Sequence, residues 1–215
     1  MTASLVALFV GAYLAGSIPF GVLIGRAWKG IDIRKYGSGN IGFSNALRLL
    51  GWKPAALVFL ADAAKGAVPV CVGQALLRSW QAPRADLLLL LLGLLPILGH
   101  SFSVFLRFSG GRAVTTTLGV LLGLCWPAAA IGLGLWIVVV ALTRYISLAS
   151  IIAALSVPGY MFLAHRSNEW KIFWSAIALL VILRHLPNIL RLLAGTETKL
   201  GQKVQVPEAE EGNTR

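Results

Sequence analysis

A few short stretches hold the residues whose types and spacing could do chemistry. The first runs from Tyr36 to Arg48 and reads Tyr-Gly-Ser-Gly-Asn-Ile-Gly-Phe-Ser-Asn-Ala-Leu-Arg. Gly37, Gly39 and Gly42 admit backbone conformations closed to other residues and let N–H groups come close to a ligand. A helix starting near Ser44 would turn its free N–H groups toward an anion such as phosphate. Arg48, one turn further on, could fork onto phosphate oxygens. Ser38, Gly39, Asn40, Asn45 and Arg48 are therefore candidate phosphate ligands. The plainer alternative is a flexible loop with a capping Ser or Asn. Gly110-Gly111-Arg112 repeats the logic ahead of Thr115, Thr116 and Thr117: glycine backbone, a cation and a helix start. Its spacing is not that of a Walker A loop, which disfavours nucleotide hydrolysis. Its plainer alternative is a turn whose arginine marks the cytoplasmic side of a membrane.

Hydroxyls and a histidine supply the other candidates. Ser147 and Ser150 stand three apart at an expected helix start. One can serve as an N-cap, or the two can hold a ligand. No GxSxG elbow supports a serine nucleophile. Arg184, Asn188 and Arg191 are spaced to share one helical face, with His185 on the adjacent strip. Histidine titrates near neutrality and can act as a general base; alternatively it is an interfacial residue bonded to backbone, the reading given to His165. His100 could be a polar neighbour of Gly110–Arg112. Asp62 and Lys65 are three apart inside an apolar run, where ionisable groups pair and face the interior. An internal ion pair is preferred there over a proton path.

These residues must be positioned by elements suited to lipid. The chain has 215 residues, 57% hydrophobic and only 13% charged, with a net charge of +11. That excludes a disordered chain and an ordinary soluble domain, and points to an all-α integral membrane protein. The basic excess serves topology or anionic lipid-type substrates, since no nucleic-acid-binding signature is present. Cys71 and Cys125 lie in apolar runs with no CxxC, so neither a disulfide framework nor a metal site is expected. The N-terminal run lacks a basic leader and reads as a retained helix.

Spans are expected over 3–25, 54–77, 85–106, 148–165 and 170–186. Small residues Gly11, Ala15, Gly21 and Gly25 suggest close helix contacts in the first. The stretch 114–142 would measure about 44 Å as one helix, too long for a ~30 Å core. Trp126-Pro127 near its middle favours a break. Read as a short helical hairpin, it gives seven transmembrane helices, with the N-terminus outside and the C-terminus cytoplasmic. Fourteen Lys and Arg then fall on one side and four on the other, against ten and eight for a single span. The positive-inside rule selects the first. Residues 1–200 form one membrane domain and 201–215 a polar cytoplasmic tail.

With that topology every glycine-rich and polar loop faces the cytoplasm, and the motifs stand in a recognisable order. Gly16-Ser17-Ile18-Pro19, then Gly37-Ser38-Gly39-Asn40-Ile41-Gly42 with Asn45 and Arg48, then Asp62-x-x-Lys65-Gly66 come first. Gly99-His100-x-Phe102 with Gly110-Gly111 follows, then Arg144-Tyr145-Ile146-Ser147-Leu148-Ala149-Ser150. Arg184-His185-x-x-Asn188 through Arg191, Gly195-Thr196-Glu197 and Leu200-Gly201-Gln202-Lys203 close the series. Over nearly its full length the chain resembles the bacterial acyl-phosphate:glycerol-3-phosphate acyltransferases, the PlsY family. The resemblance implies a seven-helix enzyme of the bacterial inner membrane with a cytoplasmic site. It implies acyl transfer from acyl phosphate to the 1-hydroxyl of glycerol 3-phosphate, giving lysophosphatidate and phosphate. It implies no cofactor, no metal, no acyl-CoA and no acyl-carrier protein. The lipid bilayer is the expected partner; a monomer is compatible with the sequence, which leaves the oligomeric state open.

The chain departs from the usual pattern at Arg112-Ala113, where GGKG is common, at Phe43-Ser44, where Ala-Thr is common, and at Ser103, where Pro is common. Arginine keeps the charge but is planar and longer than lysine. On this reading Ser38, Gly39, Asn40, Asn45, Arg48, Gly110, Gly111, Arg112 and Glu197 bind phosphates. Ser147, Ser150, His185 and Asn188 handle the hydroxyl and the acyl carbonyl. The base is His185 or a substrate phosphate oxygen. The competing classes are a transporter for a phosphorylated solute and a divergent paralogue with altered or lost activity.

Overall fold

The computed structural model describes residues 2–202. The tail beyond Gln202, including the positive charges of Lys203 and Arg215, lies outside the described residues. Ten α-helices follow in chain order: α1 (Thr2–Ser17), α2 (Phe20–Lys29), α3 (Phe43–Leu50), α4 (Trp52–Ser79), α5 (Ala85–Ser101), α6 (Val114–Leu124), α7 (Trp126–Thr143), α8 (Ile146–Leu163), α9 (Asn168–Arg184) and α10 (Leu186–Leu193). Among the described residues there is no strand.

Four helices are long and apolar enough to cross a membrane by themselves, namely α4, α5, α7 and α8, the second counted through Leu106. The pairs α1–α2 and α9–α10 qualify only as broken spans, bent by 40° and 58°, which makes six; α6 is shorter and apolar. Proline sets both bends: Pro19 caps α2 and Pro187 occupies the first turn of α10, where its missing N–H costs nothing. The stretch 114–142 does divide, at Cys125, immediately before Trp126-Pro127. The exterior is apolar. Leu142, Leu163 and Leu193 are 80–83% exposed, a surface that suits lipid better than water.

Close contact between spans depends on glycine. A side-chain carbon on Gly66 of α4 would collide with the Thr116 carbonyl of α6, and one on Gly119 of α6 with the Ala63 carbonyl of α4. The two backbones therefore touch reciprocally, as small residues permit in membrane helices. In the first span Gly21 and Gly25 are crowded, against Ile41 and Ile33, while Gly11 has open space around it.

The helices form two groups. α4 packs mainly on α6, α5, α3, α1 and α2, whereas α7 packs on α8 and α8 on α9. The groups meet through α6 with α7 and α5 with α9. A core of Val70, Ile97, Val120, Cys125, Met161 and Trp174 seals them together at one end. Toward the other end they part around a cavity.

Candidate active site

The first loop is built around one side chain. Asn45 is fully buried in α3. Its Oδ1 accepts from the Ser38 N–H at 3.0 Å, and its Nδ2 donates to the Ile33 carbonyl at 2.8 Å, the Asn40 carbonyl at 2.9 Å and the Tyr36 carbonyl at 3.3 Å. The Asn40 carboxamide accepts from the Gly42 N–H at 3.0 Å. Gly37 and Gly39 take left-handed backbone, φ +62° and +68°, which this tight loop requires. α3 then starts at Phe43, one residue before the expected position.

The second loop is held from both sides. The Gly110 N–H donates to the Ser101 carbonyl at 3.2 Å and the Gly111 N–H to the His100 carbonyl at 2.9 Å. The two glycine carbonyls accept from Arg184, at 2.7 Å through Nη2 and 3.0 Å through Nε. Beneath this loop lies the ion pair Asp62–Lys65, 2.9 Å apart and 2–3% exposed. Lys65 also donates to the Ile18 carbonyl at 2.8 Å, where α1 gives way to α2. The interior pair expected from the sequence is present and ties three elements together. His100 Nδ1 stands 3.7 Å from Asp62, too far for a hydrogen bond.

The cavity between the two helix groups has a volume of about 120 Å³. Asn40, Arg48, Asp62, His100 and Arg112 reach it from one side, and Ser147, Ser150, His185, Asn188 and Glu197 from the other. Its deeper wall is apolar, with Leu118, Leu121, Leu133, Val157 and Val181. Ser38, Gly39, Asn45, Gly110 and Gly111 do not line it. Their N–H or side-chain groups are occupied in holding the loops that present Asn40, Arg48 and Arg112.

Two local expectations need correction. Neither Ser147 nor Ser150 is an N-cap. Tyr145 is, and Thr143 Oγ1 accepts from its N–H at 3.2 Å. Ser150 instead donates to the Ile146 carbonyl at 2.9 Å and accepts from Trp136 Nε1 at 3.2 Å. Arg184, Asn188 and Arg191 do not share a helical face either, because the chain bends at His185. Arg184 turns to the second loop, while Asn188 and Arg191 both bond Glu197.

The Glu197 corner concentrates charge. Its carboxylate accepts from Asn188 Nδ2 and Arg191 Nε, each at 2.7 Å. Burial alone would raise its pKa, but those donors outweigh burial and hold it below the usual carboxylate value. Arg48 Nη2 donates to the Thr198 carbonyl at 3.1 Å, and Arg144 and Leu200 exchange hydrogen bonds in both directions. Residues 195–200 thus form a strap joining α3 to α7–α10 under the cavity. Arg112 makes no side-chain hydrogen bond among the described residues. Burial is the main effect that lowers its pKa, to about 10, with Glu197 opposing and Arg191, Arg48 and Arg184 adding to it. It stays a cation at neutral pH and faces the cavity without a salt bridge among the described residues, the Glu197 carboxylate being bonded to Asn188 and Arg191.

His185 is 2% exposed. Its Nδ1 lies 2.8 Å from the Val181 carbonyl. A carbonyl only accepts, so Nδ1 carries the hydrogen, and Nε2 of the neutral ring is left as an acceptor in the cavity. The Ser147 hydroxyl and Asn188 Oδ1 are buried and unpartnered among the described residues. An unpaired arginine, a free imidazole nitrogen and two free polar atoms at the mouth of an apolar slot suit phosphate chemistry on a lipid. Among the described residues no three His, Cys, Asp or Glu side chains are grouped to hold a metal ion.

Sequence reasoning missed the aromatic side of the cavity. The Phe43 ring meets Trp52, Phe59 and Trp136 edge-on, with centroids 6.1, 5.6 and 6.4 Å away. It bridges α3 and α4 to α7 where those helices otherwise stand apart. The bulk of Phe43 was visible in the sequence; its partners, distant in the chain, were not.

Residues 6–195 match the family described as glycerol-3-phosphate acyltransferase. A glycerol-3-phosphate acyltransferase of Synechococcus sp. (strain JA-2-3B'a(2-13)) is 45% identical over 194 residues, covering 90% of this chain and 94% of that one. Glycerol-3-phosphate acyltransferase 2 of Moorella thermoacetica is 46% identical over 199 residues, covering 93% and 98%. The crystal structure of PlsY (YgiH), an integral membrane glycerol 3-phosphate acyltransferase, in its glycerol 3-phosphate form superposes with a TM-score of 0.84 at 38% identity, covering 92% of this chain and 96% of that one. Its lysophosphatidic acid form gives 0.82 at 37%, with the same coverage. With a match over most of its length in sequence and in fold, the chain belongs to the glycerol-3-phosphate acyltransferase family of integral membrane proteins.

Proposed function

We propose that this protein transfers a fatty acyl group from acyl phosphate to the 1-hydroxyl of glycerol 3-phosphate, yielding lysophosphatidate and phosphate. The observation that carries this reading is the juxtaposition of Arg112, a half-buried cation with no hydrogen bond or salt bridge among the described residues, with the free Nε2 of His185 above an apolar slot. Arg112 and Arg48 bind phosphate oxygens, and Asn40 borders them. The acyl chain lies along Leu118, Leu121, Leu133 and Val157. Ser147, Ser150 and Asn188 orient the glycerol hydroxyl and the acyl carbonyl. Ser38, Gly39, Asn45, Gly110 and Gly111 act through the loops they hold, and Glu197 through the strap.

The hydroxyl oxygen attacks the acyl carbon, the bond from that carbon to the phosphate oxygen breaks, and phosphate leaves with the electron pair. His185 Nε2 takes the hydroxyl proton. Acyl phosphate is already activated, so no acyl-enzyme and no cofactor is required. Arginines near the carbonyl and the leaving group stabilise charge that develops in the transition state.

Seven spans fit the charge pattern best, counting α1–α2, α4, α5, α6, α7, α8 and α9, with the N-terminus outside and the site and C-terminus cytoplasmic. The protein works in the bacterial inner membrane, with residues 1–200 as its single domain and 201–215 as a polar tail. The test is an assay of purified protein with labelled glycerol 3-phosphate and either palmitoyl phosphate or palmitoyl-CoA. Lysophosphatidate formed from the phosphate donor alone, and lost in Arg112→Ala, is expected. Well-folded protein that makes no product, or that uses the CoA donor equally, contradicts the reading.

A further inference from the structure

A second groove, of about 750 Å³, lies at the α1–α2 bend and shares no lining residue with the active-site cavity. Arg26 of α2, Arg34, and Arg107 of the loop after α5 supply its charge; Val22, Leu23 and Phe105 supply apolar wall. Asp32 is the carboxylate nearest the arginines. It pairs with Arg34 at 2.5 Å and more loosely with Arg26 at 3.5 Å. Arg107 has no salt bridge among the described residues. Three guanidinium groups therefore face one carboxylate, leaving an excess of two positive charges.

The wall is built to last, and part of it is strained. Ser103 Oγ donates to the Ser17 carbonyl at 2.5 Å, and the Tyr13 hydroxyl donates to the Phe102 carbonyl at 2.8 Å. These bonds fix the loop against the first span. Leu106 is buried with Val22 and Ile41. Arg107 and Phe108 nonetheless both take left-handed backbone, φ +53° and +61°, a conformation unfavourable for residues with a side chain. Strain of this kind persists only where the surrounding fold over-determines it. Here it holds Arg107 beside Arg26 and Arg34. The apolar part is open to the surroundings, with Leu23 48% and Phe105 58% exposed.

We infer that this groove binds the headgroup of an anionic phospholipid from the surrounding bilayer. The phosphodiester sits among Arg26, Arg34 and Arg107, and an acyl chain lies over Val22, Leu23 and Phe105. Charge complementarity selects an anionic over a zwitterionic lipid, and the exposed apolar wall selects a lipid over a soluble phosphate. Basic pockets between spans hold headgroups in this way. The site stands apart from acyl transfer, so it does not depend on the proposed reaction.

The test uses full-length protein in nanodiscs of phosphatidylcholine doped with phosphatidylglycerol, with retained lipid counted by native mass spectrometry. Wild type is expected to retain phosphatidylglycerol in preference to phosphatidylcholine. Arg26→Ala/Arg107→Ala is expected to weaken retention about tenfold or more, from about 1 kcal/mol per arginine. Leu23→Ser is expected to weaken it less. Arg78→Ala/Arg84→Ala, which removes the same charge elsewhere, is expected to leave it unchanged. Circular dichroism verifies the fold of each variant. Undiminished retention in Arg26→Ala/Arg107→Ala overturns the proposal, as does an equal loss in the control pair. Displacement of the lipid by millimolar inorganic phosphate would reassign the groove to a soluble anion.

Discussion

The loop around Asn45 and the corner around His185 look alike on paper. Each combines polar side chains with an arginine beside a short amphipathic helix, and each borders the same cavity. Their hydrogen bonds differ. Asn45 uses both ends of its carboxamide on backbone groups of its own loop. His185 uses only Nδ1, Asn188 only Nδ2, and the Ser147 hydroxyl has no partner among the described residues. Folding commits nearly all of the first region to its own loop, leaving over Ser38 Oγ and Arg48 Nε, whereas the second keeps a hydroxyl, an amide oxygen and an imidazole nitrogen unmet beside a cavity. The contrast separates a bonded scaffold from a surface with hydrogen-bonding capacity to spare. A residue type that suits a ligand is available to one only where the fold has not already bonded it.

Four substitutions probe this contrast through stability, beginning with the largest effect. Asn45→Ala strands several buried backbone groups, each worth about 1–3 kcal/mol when unsatisfied. We expect a loss of about 3 kcal/mol in detergent unfolding, with activity falling because Arg48 is no longer presented. Retained stability would remove Asn45 from the scaffold. Phe43→Ala deletes edge-on ring contacts worth about 0.5–1.5 kcal/mol each, for a loss of about 2 kcal/mol. It also opens the bridge between α3–α4 and α7. The cavity, at about 120 Å³, is smaller than the roughly 300 Å³ or more typical of ligand sites. Competition between donors of different length should therefore shift toward bulkier acyl chains in this variant, and an unchanged preference would place the chain elsewhere.

Glu197→Gln acts through the strap and should cost about 1 kcal/mol at neutral pH, since Arg191 is partly exposed. The carboxylate has a folded pKa below its ordinary 4.5. Its contribution is present above the unfolded value and is lost as pH falls through the lower folded value. Wild type should thus lose stability on acidification below about pH 4.5, with a smaller loss in Glu197→Gln. Parallel curves would dismiss the strap carboxylate. The smallest effect is Ala113→Gly. Ala113 has φ +57°, so glycine relieves about 1 kcal/mol of left-handed strain. Its methyl is also buried in the core, and losing it costs about 0.8 kcal/mol. The two nearly cancel, and melting temperatures should coincide within about two degrees.

Much of this architecture was legible. Apolar runs located the long helices, Trp126-Pro127 marked the break between α6 and α7, and Asp62 with Lys65 formed the buried pair that their depth in an apolar helix demands. Motif order also indicated the family. What escaped was hydrogen-bond bookkeeping. Ser38, Gly39, Asn45, Gly110 and Gly111 have the chemistry of phosphate ligands, but the backbone N–H groups of Ser38 and the glycines and the Asn45 carboxamide are bonded within the protein. Helical periodicity put Arg184 on the face of Asn188 because it extends a helix through His185, where Pro187 ends it. Trp136 carried no local signal, for its role depends on Phe43 more than ninety positions away in the chain.

The central claim, that unsatisfied groups at the His185 corner carry the chemistry, is tested most directly by steady-state lysophosphatidate formation in His185→Ala with the unfolding midpoint read on the same sample. Turnover should fall about 10²–10⁴-fold, the usual contribution of a general base, while the midpoint stays near wild type. Near-normal turnover would contradict the assignment and move proton acceptance to a substrate phosphate oxygen. A collapse of the midpoint would make His185 part of the scaffold, like Asn45.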